Sequence, residues 1–150
     1  MGGFEGRALK KGDVIYGDGN IEKTSIGRIL SPDLIPSYSS EIKARVILGP
    51  DIEYFSEEGI QTFLTNTYRI TNHSDRMGYR LSGPKISHRS VADIISDAIP
   101  FGGIQVPANG QPIILMADRQ TTGGYTRIGT VISVDLPYLS QAQPGQTVRF

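Results

Sequence analysis

A segment in the last third of the chain, residues 116–133, places hydrogen-bonding side chains beside two adjacent glycines. Amide and hydroxyl groups both donate and accept hydrogen bonds. Glycine can adopt positive φ, which lets a ligand approach main-chain N–H groups closely. A tyrosine adds a flat ring and a phenolic hydroxyl. Together these groups suit a planar, oxygen-rich ligand that is neutral or anionic. The candidates are Asp118, Gln120, Thr121, Thr122, Gly123, Gly124 and Tyr125.

The same segment has a purely structural interpretation. Thr121 and Thr122 are good strand formers that would precede a Gly-Gly turn, and Asp118 would hold the connection by an Asx hydrogen bond. Polar turns of this kind are common, so the residues alone favour this alternative. Covalent attack by a threonine is not expected in either case, because the segment contains no histidine to activate it.

A second stretch, HSDRMGYRL, contains two arginines that flank a glycine. If the stretch is a strand, Arg76, Gly78 and Arg80 share one face, and both guanidinium groups would converge over the glycine. Such a pair binds a carboxylate or a phosphate with two parallel hydrogen bonds. The alternative is a surface ion pair between Asp75 and Arg76, with Arg80 in solvent, and the sequence by itself favours that alternative.

A third stretch, QVPANGQP, is most simply a hairpin with its turn at Asn109-Gly110. Gln105 and Gln111 bracket the turn and are able to present their amides together, so Gln105 is a further candidate for ligand binding. His73 and His88 lack carboxylates at ligand spacing, so a metal site is not expected.

Composition limits the classes of partner. The 150 residues include 15 basic and 15 acidic side chains, and this zero net charge gives no long-range attraction to nucleic acid or to an anionic membrane. No apolar run approaches the roughly 20 residues of a membrane span. The absence of Cys fits a cytoplasmic protein.

Many short strands are predicted, because 18 Gly and 9 Pro residues punctuate short apolar runs. A tight turn is expected at Asp18-Gly19, and strands are expected at residues 45–48, 68–71, 78–82, 104–107, 112–117 and 128–134. Two short helices interrupt them. Ser56 would cap a helix over residues 57–64, whose apolar face would plug one end of a barrel, and Asp135 would cap a helix that stops at Pro144-Gly145. This pattern predicts an all-β fold, a closed or nearly closed β-barrel with two short helices.

The chain resembles a known family at three motifs: SDRMGYRLSGP, GGIQVPANGQPIILMADRQTTGGY and DLPYLSQAQPGQTVRF. They are similar to the second half of the allophanate hydrolase subunit 2, or KipA, family. Its members are also called 5-oxoprolinase C subunits and biotin-dependent carboxyltransferase subdomains A and B. The resemblance implies a cyclophilin-like β-barrel. It divides the chain into residues 1–13, the tail of a preceding subdomain, and residues 14–150, subdomain B.

The resemblance also implies an activity and partners. A KipI-type protein, with a lamB-type third subunit, would complete an enzyme that opens 5-oxoproline to glutamate at the expense of ATP. This fragment by itself is expected to be inactive and to bind no cofactor. Asp118, Gln120, Thr121 and Thr122 are then expected to be catalytic. The residues expected to bind substrate are Arg76, Gln105, Arg119, Gly123, Gly124 and Tyr125, with Arg76 contacting a carboxylate.

Two alternatives stay open. Relatives such as urea carboxylase transfer CO₂ from carboxybiotin to urea, and the same loop would then contact the ureido oxygen. Other KipA-type proteins are regulators that bind a KipI-type kinase inhibitor, and in that case exposed apolar strands and the first helix would matter more than the polar segment.

Overall fold

The computed structural model describes residues 3–17 and 27–150, and the chain divides into two compact units, Met1–Pro36 and Ser37–Phe150. The turn predicted at Asp18-Gly19 lies outside the described residues. The predicted subdomain boundary at residue 13 stays a prediction, because compact units and family subdomains need not coincide.

In the first unit, a local cluster forms around Arg7. Its guanidinium makes two hydrogen bonds of 2.8 Å to the carboxylate of Asp13 and lies 5.2 Å from the centre of the Phe4 ring. A short 3₁₀ helix, Pro32–Leu34, lies near the end of the unit.

The second unit is built on an eight-stranded sheet and a separate two-stranded ribbon. The sheet order is β1-β10-β3-β4-β7-β6-β9-β2, and the ribbon pairs β5 with β8. The strands are β1 (Glu41–Lys43), β2 (Val46–Leu48), β3 (Thr67–Ile70), β4 (Gly78–Ser82), β5 (Asp93–Ala98), β6 (Gly103–Gln105), β7 (Ile113–Leu115), β8 (Thr122–Tyr125), β9 (Arg127–Val131) and β10 (Thr147–Arg149).

The sheet curls back toward itself. Its two edge strands are β1 and β2, and only Ala44 and Arg45 connect them. Such a connection spans at most about 11 Å, so the first and last strands of the sheet must lie close together. The alternating burial of β3, in which Tyr68 and Ile70 are buried, directs one face of the curled sheet into a single core. The prediction of a mainly β, barrel-like fold is confirmed.

The first helix, α1 (Glu57–Thr65), plugs this core as predicted. The Ser56 hydroxyl accepts a hydrogen bond of 3.0 Å from the Gly59 amide, which caps the helix, and two glutamates in the first turn complement the helix dipole. Phe63 is fully buried and stacks on Phe150 at 4.5 Å between ring centres. Ile60 and Leu64 pack against the same core.

The second helix, α2 (Leu136–Ser140), differs from the prediction in its cap and its length. The Asp135 carboxylate caps no amide of the helix. It accepts three hydrogen bonds of 2.8–3.0 Å from the backbone and side chain of Arg45, because a buried carboxylate gains more from a guanidinium than from one amide. The strand predicted over residues 128–134 ends at Val131, and a 3₁₀ helix, Ser133–Asp135, leads into α2. Among the described residues, no helix has the length and apolar character needed to cross a membrane.

Candidate functional site

A cleft of about 620 Å³ lies where β4, β6 and β7 meet the start and end of β8. Three sequence-predicted residues line it together: Gln105, Gln120 and Tyr125. Arg80 and Gly78 line it from β4, with His73 and Asp75 from the turn before that strand. The cleft therefore combines a guanidinium, carboxamides and a phenol with the backbone of Gly78, which carries no side chain.

Strand register explains how Gly78 and Arg80 enter this cleft. They pair with Leu115 and Ile113 of β7, and their separation of two residues places both on one face of β4. A side chain at Gly78 would bring its Cβ within 3.2 Å of Ile113 and 3.3 Å of the Ile114 carbonyl. The glycine therefore lets β4 pack closely against β7 beside Arg80.

Gln105 is the buried polar residue of the cleft, with 1% of its surface exposed. Its amide nitrogen donates a hydrogen bond of 3.3 Å to the carbonyl of Tyr125. This bond ties β6 of the main sheet to the end of the β5–β8 ribbon. The bond restrains the Gln105 carboxamide beside the cleft that it lines.

Some polar side chains that line the cleft are already engaged. The Asp75 carboxylate accepts from the amides of Met77 and Gly78, and the Gln111 amide bonds both backbone groups of Gly83. The predicted pairing of the Gln105 and Gln111 amides on one ligand is therefore not supported. By contrast, the Arg80 guanidinium forms no ion pair within residues 3–17 and 27–150. Arg80 is the cleft cation that is open to an anionic ligand.

The Gly-Gly pair is part of a strand and not of a turn. Neither Gly123 nor Gly124 has positive φ, so that expectation is wrong. Their small size has a packing reason: a Cβ on Gly123 would lie 2.5 Å from Ile99 and 2.9 Å from the Gln105 amide, and one on Gly124 would lie 3.1 Å from the Ile94 carbonyl. Gly123 pairs with Asp97 in the ribbon.

The two threonines lie at the start of β8. Thr122 pairs with Ala98, and the Thr121 carbonyl accepts a hydrogen bond of 2.9 Å from the Ile99 amide. Both residues are exposed. The cleft is lined by their neighbours Gln120 and Tyr125 and not by the threonines themselves.

The structure brings Arg76 and Asp118 together as partners of each other. Two hydrogen bonds of 2.7 and 3.0 Å join the guanidinium to the carboxylate, and this bonding lowers the pKa of Asp118. Arg76 precedes β4 and lines a different hollow from Arg80, so the expected convergence of the two guanidinium groups is wrong. The alternative pairing of Asp75 with Arg76 does not form either.

Arg119 is also engaged in the fold. Its Nε donates a hydrogen bond of 3.1 Å to the Ile99 carbonyl, and its guanidinium carbon lies 5.8 Å from the centre of the Phe101 ring. These contacts secure the segment that follows β5. They give Arg119 a structural role beside the proposed one in substrate binding.

Two further polar residues make contacts in the core that the sequence did not predict. Arg127 is 5% exposed and bonds Asp51 and Asp97. His88 lies 4.7 Å from the Phe55 ring, between centres, and its Nε2 lies 3.0 Å from the Thr126 hydroxyl. An arginine at the start of an apolar strand was the available signal for Arg127.

Within the described part of the chain, no group of three His, Asp or Glu side chains is placed to hold a metal ion.

The domain is a curled, mainly β, barrel-like fold. Its cleft presents amide, phenol and guanidinium groups, which suit a small polar ligand. The chain belongs to the family described as carboxyltransferase domain, subdomain A and B, which matches residues 1–150. This match confirms the resemblance drawn from the ADRQTTGGY motif and its flanks.

Named relatives agree with this membership. The chain is 38% identical to the C subunit of 5-oxoprolinase from Haemophilus influenzae and 34% identical to that from Escherichia coli, and each alignment covers 100% of this chain and 47% of the relative. The chain thus spans about half the length of these relatives. The crystal structure of Kluyveromyces lactis urea carboxylase superimposes with a TM-score of 0.81 at 30% identity, over 100% of this chain and 15% of that one.

Proposed function

We propose that this chain is the C-terminal part of the C subunit of a 5-oxoprolinase, and that its cleft binds a small lactam carboxylate such as 5-oxoproline. One observation carries the proposal: Arg80, Gln105, Gln120 and Tyr125 line the same cleft. Their chemistry matches that of a cyclic amide with one carboxylate.

Each part of 5-oxoproline has a counterpart in the cleft. Arg80 would bind the carboxylate, because a guanidinium pairs with it through two parallel hydrogen bonds. The carboxamides of Gln105 and Gln120 would bind the lactam N–H and C=O, since an amide both donates and accepts. Tyr125, 43% exposed, would pack its ring on the lactam ring.

Lactam opening develops negative charge on the carbonyl oxygen, and fixed donors stabilise that charge. Removal of one such donor raises the barrier by about 3–4 kcal/mol in known enzymes. The carboxamide of Gln105 meets this requirement for preorganisation, because it is buried and tied to the Tyr125 carbonyl. We assign Gln105 to the developing oxyanion and Gln120 to the lactam N–H.

The remaining predicted catalytic residues form a second, exposed group near the cleft. Asp118, Thr121 and Thr122 lie on the surface, before and at the start of β8. We propose that a KipI-type partner covers them and that a lamB-type protein joins the assembly, so that the active site is composite. ATP would be used by the full cytoplasmic complex and not bound by this chain.

The decisive experiment compares two arginine variants in the reconstituted complex. Arg80→Gln should raise the KM for 5-oxoproline roughly tenfold or more, because it removes a charged hydrogen-bond partner of the carboxylate. Arg69→Gln, on the exposed face of β3, is the matched control and should leave KM unchanged. ATP-dependent glutamate release is the measurement, and equal KM values for the two variants would refute the assignment of Arg80.

Carboxyl transfer is the second candidate, favoured by the full-length superposition on urea carboxylase. Assays with urea and carboxybiotin in place of 5-oxoproline separate the two reactions. Tight binding of a KipI-type partner that survives Arg80→Gln and Thr122→Ala, with no turnover of either substrate, would identify a regulator instead.

A further inference from the structure

The β5–β8 ribbon contributes Tyr125 to the proposed cleft, yet it is not hydrogen-bonded into the eight-stranded sheet as a ladder strand. β8 continues into β9 through Thr126, and the Gln105 amide donates its hydrogen bond to the carbonyl of Tyr125, the last residue of β8. β5 contributes residues that are mostly exposed, including Ile95 at 94%. A ribbon with so little buried surface needs another attachment to keep a fixed position.

Arg127 supplies that attachment from the buried start of β9. Its Nη2 bonds the Asp97 carboxylate at 2.6 Å, and its Nη1 bonds the carbonyl of Ala98. Its Nε bonds the carboxylate of Asp51, in the segment that follows β2, at 3.0 Å. One guanidinium thus joins the end of β5 to the body of the domain, while only 7% of its side chain is exposed.

The bonded residues of β5 lie directly across from β8. Asp97 pairs with Gly123, and Ala98 pairs with Thr122. Arg127 itself pairs with Gln105 across β6 and β9. Because Asp97 pairs with Gly123, a contact that holds Asp97 in place also holds β8 in place. β8 carries Tyr125, whose carbonyl accepts the hydrogen bond from the buried Gln105 carboxamide.

We propose that Arg127 is a positioning residue that holds the β5–β8 ribbon against the cleft through Asp97 and Ala98, and so sets ligand affinity. The inference rests on the proposed function of the cleft. Arginine is required because its planar fork addresses three acceptors at once, whereas the ammonium of lysine is a compact point charge that cannot reach them in one plane.

A tryptophan reporter tests, without any substrate, whether the contacts of Arg127 hold the β5–β8 ribbon in place. The chain contains no Trp, so Tyr125→Trp places a single fluorophore at the end of the ribbon. In this background, Asp97→Asn should shift the emission to longer wavelength and raise acrylamide quenching roughly twofold, because the ribbon moves away more often. Arg45→Lys, in the separate Arg45–Asp135 ion pair, should change neither. Unchanged emission and quenching in Asp97→Asn would overturn the inference.

Kinetic measurements in the reconstituted complex, with Tyr125 intact, test whether the position of the ribbon sets the affinity for the ligand. Asp97→Asn and Arg127→Lys should each raise the KM for 5-oxoproline several-fold, up to roughly tenfold, with little change in kcat. Asp97 is 62% exposed, so its variant is expected to fold even if the buried Arg127→Lys does not. A shifted emission with unchanged KM would overturn the inference. If the unmodified complex releases no glutamate, the proposed function fails, and the reporter alone decides the role of Arg127.

Discussion

At the scale of single residues, Gly123 is needed for its size. A Cβ there would collide with the Ile99 side chain at 2.5 Å and with the buried Gln105 amide at 2.9 Å. Gly123→Ala should therefore lower the free energy of unfolding by about 1–3 kcal/mol, the usual cost of overpacking. Urea denaturation measures it. Gly17→Ala, where nothing lies within 4 Å, is the control. A loss no larger than in the control would contradict the packing argument.

The residues that line the cleft were only partly predictable from the sequence. Gln105, Gln120 and Tyr125 were candidates because their side chains are polar and lie beside glycines or strand ends. Arg76 and Arg80 occupy equivalent places in the motif, and only the start of β4 at Gly78 decides which of them enters the cleft. The partner of Arg76, Asp118, lies 42 residues away, and such a distant pairing leaves no local signal.

At the scale of elements, α1 depends on its cap. The Ser56 hydroxyl satisfies the Gly59 amide at 3.0 Å. Ser56→Ala leaves that amide without its partner and should cost about 1 kcal/mol of unfolding free energy. Ser56→Asp keeps an acceptor and adds a charge that favours the helix N-terminus, so it should remain close to the wild type. Thermal or urea unfolding compares the two. Equal destabilisation by both substitutions would show that the cap is not what matters.

The predicted elements are those with strong local patterns. β2, β4 and the β6–β7 hairpin combine apolar residues with Gly or Pro boundaries, and β3 (TYRI) is rich in strand-forming residues. Each formed within a few residues of its expected place. β5 and β8 have no such pattern, because β5 is exposed and β8 carries two glycines in four residues. They become strands only by pairing with each other and by the attachment through Arg127, both of which are non-local.

At the scale of the whole molecule, acid should destabilise the fold in two steps. Bonding to Arg127, Arg76 and Arg45 lowers the pKa of Asp97, Asp118 and Asp135 respectively. The folded state then binds fewer protons than the unfolded chain, so this stability is complete above the unfolded aspartate pKa of about 3.9 and is lost as the pH falls through the lower folded values. Asp135→Asn should flatten this acid step in urea titrations between about pH 5 and pH 3. A step of undiminished size would contradict the assignment.

The other of the two steps in which acid lowers the stability of the fold is due to His88. Burial lowers the pKa of its imidazole, which outweighs the raising effects of the Val106 carbonyl and Asp93. The unfolded histidine, with a pKa of about 6.5, takes up a proton before the folded one does, so stability should fall as the pH drops below that value. In His88→Gln, stability should change much less between about pH 7.5 and pH 5.5. Parallel slopes for wild type and His88→Gln would show that another group carries the dependence.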